Sequence, residues 1–213
     1  MFRLDRRKFI NKKRLDMEEK EFENFEDEKV LEVRMYFFVP YNISEIQKGI
    51  QAGHAALRYA RAFSADNPEV WDFVDNHETW IVLNGGTMND QRDFDGIPAG
   101  SMNQIGDQLL EADINFSYFL EPDLNNGLSA LCFLCDERVF NKEDYPDFID
   151  FVFNKMSPEA LAIMPYENEM LLRSQSTQNL KEQFPEYYKE WVRSLGGVKN
   201  VFLREITKDK KKA

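Results

Sequence analysis

The chain has 213 residues, 43% of them hydrophobic and 14% aromatic, enough apolar material for one well-buried domain with appendages or for two small ones. A formal net charge of −11 disfavours a surface built to neutralise many nucleic-acid phosphates, so no DNA partner is expected, and small ligands or proteins gain weight as partners. No run approaches the ~18 apolar residues of a membrane span, and the basic start lacks the apolar stretch of a secretory signal, so a cytoplasmic location without membrane attachment is expected.

Residues 1–30 read as a charged extension: a basic block, "MFRLDRRKFINKKR", then an acidic one, "DMEEKEFENFEDE". Such blocks form solvated helices or tails, and mutual pairing is the simpler reading than an acidic partner. The periodic part starts at "LEVRMYFFVP", a β-rich run ended by Pro40. The next segment, "YNISEIQKGIQAGHAALRYARAF", predicts a helix, with Ser44 and Gln47 spaced as a capping box. At 100° per residue, Ile46, Gly49, Ile50, Gly53, Ala56, Leu57 and Ala60 share one face, expected to pack closely on a sheet. Gln47, Gln51, His54 and Arg58 form a polar stripe beside it, with Lys48 about 60° beyond that stripe.

Then come a short amphipathic helix, "NPEVWDFVDN", and a strand running into a glycine turn, "ETWIVLNGGT". After a polar loop, "SMNQIGDQLLEADI" predicts a second long helix with Ser101 as its cap. "NFSYFLEPDLNNG" reads as a strand and turn, and "LSALCFLC" as a buried strand. The order β-α-(α)-β-α-β-β predicts an α/β fold: a mixed, roughly four-stranded sheet flanked by helices over residues 31–137. Its two crossovers imply parallel pairs, while its short "PDLNNG" link allows an antiparallel hairpin. Residues 138–207 predict a mainly helical annex closed by a strand, "VKNVFLREI", and residues 208–213 a frayed basic tail.

His54 has two readings: a half-buried histidine bonded to a backbone carbonyl, or a group for proton transfer near neutral pH. Asn84, Gly85, Gly86 and Thr87 form a turn whose amides suit a phosphate or carboxylate, though such turns are common without a ligand. Glu121 and Asp123 either make local turn bonds or serve as acid, base or orienter of a histidine. His77 heads "HETW" as a strand-edge residue; a paired H-x-[ST] motif is missing, because Ala-Ala follows His54. Cys132 and Cys135 stand three apart in a strand, so their thiols diverge and read as core rather than as a metal or redox pair. No metal site and no cofactor are expected.

"GIQAGHAAL" resembles the first-helix motif of class II peptidyl-tRNA hydrolases, matched by Gln51, His54 and Ala55. "LLEADINFSYFLEPDLNNGLSALCFL" resembles that family's later helix, strand, acidic turn and final strand, and the likeness spans about residues 33–135. Gln47 stands where the family has lysine, and Glu121-Pro122-Asp123-Leu124-Asn125 replaces its Asp-Ala-Gly-x-Thr turn. These departures resemble a divergent branch of the kind associated with bacteriophage genomes. The resemblance implies a mixed four-stranded sheet and a metal-independent hydrolase of an ester or phosphodiester in a nucleotide-containing substrate. Peptidyl-tRNA or a small signalling nucleotide would then be the substrate. His54, with Glu121 or Asp123, would move the proton; Gln51, Arg58 and the Asn84–Thr87 amides would stabilise charge, with Gln47 and Asn125 lining the site. The alternative is a non-catalytic protein that binds or sequesters a nucleotide. A homodimer is compatible with either.

Overall fold

The computed structural model describes residues 30–87 and 100–213; the charged extension and the polar loop at 88–99 lie outside them. Strand β1, Val33–Pro40, is buried along nearly its whole length, as an interior strand with both faces covered must be. Helix α1, Glu45–Phe63, starts at Ser44, whose hydroxyl accepts from Gln47 N while the Gln47 side chain accepts from Ser44 N, closing the expected capping box. A short helix α2, Pro68–Asp72, opens on Pro68 and runs into a π-helical turn at Phe73–His77. Strand β2, Thr79–Gly86, helix α3, Ser101–Glu111, and strand β3, Phe116–Glu121, follow. A 3₁₀ turn at Pro122–Leu124 leads into strand β4, Gly127–Asp136.

The sheet is mixed, in the order β2-β1-β4-β3, with β1 parallel to β2 and β4 antiparallel to both β1 and β3. The β3–β4 hairpin is as expected, but only one parallel pair forms. β4 inserts between β1 and β3, so the second crossover ends in a strand that shares β1's direction without touching it. Alternation along β1 sorts the core into two layers. Tyr36 and Phe38 join Met102, Ile105 and Leu109 of α3, whereas Met35, Phe37 and Val39 join Ala52, Ala55 and Tyr59 of α1.

Several expectations are corrected. The small-residue face of α1 is not its packing face: Ile46 is 77% exposed and Leu57 72%, and the buried residues are Gln51, Ala52, Ala55 and Tyr59. Hydrophobicity misassigned the face because Gln51 is buried with partners of its own. "VKNVFLREI" is a helix, α10 at Val198–Thr207, following the positive-φ pair Gly196–Gly197; its Leu203, three residues before Ile206, packs into the α3 side of the core. The 208–213 segment is not frayed: Lys211 O accepts from Asn84 N, and Ala213 N donates to Val82 O, so it lies on the outer edge of β2. Backbone pairing there caps an edge that would otherwise be open.

Among the described residues the annex is otherwise helical. It comprises α4 at Glu137–Phe140, α5 at Phe148–Lys155, α6 at Pro158–Ile163, α7 at Tyr166–Arg173, α8 at Thr177–Gln183 and α9 at Pro185–Ser194. α7 starts directly after Pro165, which splits the single run expected there. Phe148, Val152, Leu180, Trp191 and Leu195 form a core of their own, with the Trp191 indole donating to Pro146 O at 2.9 Å. Annex and sheet belong to one compact unit, Leu31–Ala213. No described helix is long and apolar enough to cross a membrane.

The two cysteines diverge as the strand period requires: Cys132 lies in the α1 layer and Cys135 in the α3 layer, both buried. Burial pushes the Cys132 thiol up to about 12 and raises Cys135 as well. Neither is a thiolate at neutral pH, so iodoacetamide should leave both unmodified in the native protein and alkylate both in denaturant. Rapid native labelling of either would contradict this packing.

Candidate functional site

The site is built where α1 crosses the β3 end of the sheet. Gln51 is 3% exposed, yet both ends of its amide are paired. Its Nε2 donates to Glu121 Oε2, and its Oε1 accepts from the Ser129 hydroxyl at 3.2 Å. The same hydroxyl lies 3.1 Å from Phe119 O, so its one proton is shared between the Gln51 and Phe119 oxygens, and the glutamine ties α1 to β3 through Glu121 and to β4 through Ser129. One α1 turn further on, the Ser117 hydroxyl donates to Ala55 O at 2.6 Å. A buried amide survives only with its hydrogen bonds made, which is why this polar residue can sit on the packed face.

His54 is held differently. Its ring stacks on Phe119 at 4.3 Å between centroids and 18° between planes. Among the described residues no hydrogen bond to His54 is formed, and the side chain is exposed. Neither the carbonyl-bonded reading nor an orienting bond from Glu121 or Asp123 is found. Arg58, one turn on, places its guanidinium 4.6 Å from the same Phe119 ring and donates to Tyr118 O at 3.1 Å. The imidazole and the guanidinium therefore sit over one aromatic ring, beside a carboxylate that faces Gln51.

The other sequence candidates have local duties. Gln47 is exposed and engaged in the capping box. Lys48 lies nearer the buried side than Gln47, its side chain 11% exposed and paired with Glu45 at 2.7 Å. Asp123 is exposed and its N–H donates to Glu121 Oε1 at 3.3 Å, while Asn125 takes the left-handed conformation that ends the 3₁₀ turn. In the glycine turn, Gly86 N donates to Asn84 Oδ1 at 2.8 Å and Thr87 N to Ser101 Oγ at 2.8 Å. Ser101 is thus not the cap of α3, which is Gly100; its hydroxyl donates to Gly85 O at 2.8 Å instead. A Cβ on Gly85 would meet Met102 Sδ at 2.1 Å, so that glycine serves close helix–strand packing. β2 and β3 are the two opposite edges of the sheet, three strand spacings or about 14 Å apart. Asn84, Gly85, Gly86 and Thr87 accordingly do not join Glu121.

His77 pairs with Asp72 at 3.2 Å at the end of the π-helical turn. No group of three or more metal-ligating side chains capable of holding an ion occurs among the described residues. Phe119, Ser117 and Ser129 were not singled out from the sequence. Ser117 and Phe119 share one parity of β3, the face toward α1, and that alternation is the signal that could have found them.

On its other flank α1 borders an apolar groove of ≈ 620 Å³, which His54 also lines. Met35, Val70, Phe73 and Trp80 contribute from the sheet and from the α2 region. The chain matches no known family model and no curated relative.

Replacing Gln51 tests whether this network carries stability. Gln51→Leu leaves Glu121 Oε2 without its Gln51 donor, while Ser129 keeps Phe119 O, an expected cost of about 1–3 kcal/mol. Gln51→Glu sets two carboxylates together, which raises the pKa of the pair in the folded state. Stability is then retained below the ordinary carboxylate range and lost as pH rises through the raised value. Thermal melts at pH 4 and pH 7 should show the Gln51→Glu deficit at pH 7 and a smaller one at pH 4; equal deficits would refute the contact.

Proposed function

We propose that the chain is a metal-independent hydrolase of an ester or phosphodiester bond in a nucleotide-containing substrate, with His54 as the proton-transferring group. The observation that carries this reading is the way His54 is held. Stacking on Phe119 orients the ring plane while leaving both ring nitrogens without a hydrogen-bond partner among the described residues, so both can serve a substrate or water. A histidine kept for structure normally spends one nitrogen on a carbonyl or carboxylate.

For an ester, the neutral imidazole accepts a proton from water as the water oxygen bonds to the acyl carbon. Charge develops on the former carbonyl oxygen, and Arg58 is the nearest cation on α1 to oppose it. Collapse breaks the bond to the leaving alkoxide, which takes the proton back from the imidazolium. No metal is required at any step. Glu121 holds α1 in place through Gln51, which makes it a positioning residue in this scheme. The Arg58 guanidinium, lying over the Phe119 ring, supplies a planar cationic face for stacking a base. Peptidyl-tRNA and a small signalling nucleotide are the two substrates to test.

A second reading, a protein that binds a nucleotide without cleaving it, is favoured by one observation: no carboxylate orients His54 among the described residues. Turnover separates the two. His54→Ala should lower kcat by about 10²–10⁴-fold on the true substrate while leaving the melting temperature near that of wild type. Glu121→Gln should act more weakly. Undiminished turnover in His54→Ala would exclude the catalytic role, and recovery of a bound nucleotide unchanged would favour the second reading.

A further inference from the structure

We propose that the apolar groove beside His54 receives the acyl part of the substrate, so that the bond cleaved is the ester of a hydrophobic acyl group. This rests on the reading of His54 as the reacting imidazole, and it chooses the carboxylic ester over the phosphodiester. The groove encloses ≈ 620 Å³, inside the range of roughly 300–1,000 Å³ typical of small-ligand pockets. Of the described side chains that line it, only His54 and Glu78 ionise. An apolar body fits such walls, whereas a phosphate or sugar would lose its hydrogen bonds there.

The depth comes from the small residues of α1. A Cβ on Gly53 would meet nothing within 4 Å, so the helix backbone itself forms part of the wall, and Ala56 and Ala60 continue it. Across from them Met35, Val70 and Phe73 are core residues, 3%, 1% and 4% exposed, which makes the floor rigid. Trp80 is 44% exposed and its ring lies 4.7 Å from that of Phe37, so an aromatic surface remains for a ligand. The occupant is a small molecule because the groove is continuous with the candidate site: His54 lines the groove and stacks on Phe119. A substrate can therefore place its nucleotide over the Phe119–Arg58 side, its scissile carbonyl at His54 and its acyl group in the groove. Glu78 disfavours an acyl group that ends in a second carboxylate.

The experiment uses 4-nitrophenyl acetate, butyrate and octanoate as substrates and octanamide as an uncleaved ligand, on wild type and Gly53→Leu. That substitution fills the groove and replaces a helix-interior glycine, so it should not impair folding. In wild type, kcat/KM is expected to rise about two- to fourfold per methylene, the gain from burying one CH₂. In Gly53→Leu the series should be flat. Octanamide should shift the tryptophan fluorescence of wild type, a signal lost in Trp80→Phe and in Gly53→Leu. Hydrolysis without any chain-length dependence overturns the groove proposal and leaves the hydrolase reading standing. Octanamide binding with no ester cleaved retains the groove and overturns the hydrolase reading instead. Self-association that disappears in Leu57→Asp, with no octanamide binding, assigns the face to a second copy and overturns the proposal.

Discussion

Gln51 is the point on which this architecture turns. A glutamine that is 3% exposed costs free energy unless its donor and acceptor are both used, and here they reach Glu121 at the end of β3 and Ser129 in β4. Two strands and one helix are thereby fixed relative to one another by directional bonds, where apolar contact alone would permit sliding. Everything on the α1 surface inherits its position from that tie: His54 over Phe119, Arg58 against Tyr118 O, and the small residues along the groove.

The same tie explains which parts of the fold could be read from the residues. The strands and the long helices follow from periodicity, and the capping box at Ser44 and Gln47 and the split of the cysteines across β4 follow from local geometry. The buried face of α1 did not follow. Hydrophobicity pointed to Ile46, Ile50 and Leu57, while the core took Gln51, Ala52, Ala55 and Tyr59. Counting apolar residues cannot detect a polar residue whose partners lie 70 and 78 positions away in sequence. "VKNVFLREI", read as a strand, failed for a related reason: packing of Leu203 and Ile206 against the sheet decided for helix α10.

For the candidate site, His54, Gln51, Glu121 and Arg58 were legible as side chains and misread as partners. Glu121 faces the glutamine, and the histidine is held by an aromatic ring that no motif marks. The glycine turn at Asn84–Thr87 was misplaced by topology. Strand order cannot be deduced from element order, and the insertion of β4 sends β2 and β3 to opposite edges. The Gly86 and Thr87 amides are consumed by Asn84 Oδ1 and Ser101 Oγ, and Gly85 and Gly86 leave room for Met102 and Ser101 respectively.

The face of α1 that fails to pack on the sheet is the more informative consequence. Ile50 and Leu57, 52% and 72% exposed, stand beside a groove walled by Gly53 and Ala56, an arrangement that costs solvation free energy. Filling it with larger side chains would remove that cost, and replacing Gly53 would strengthen the helix as well. A groove left open against both gains, beside an imidazole with no hydrogen-bond partner among the described residues, suits the proposed ligand, whose apolar and reactive parts would be adjacent. Under the proposed function the two flanks of one helix divide the work: the Gln51 side sets the geometry, and the Gly53 side would take the ligand.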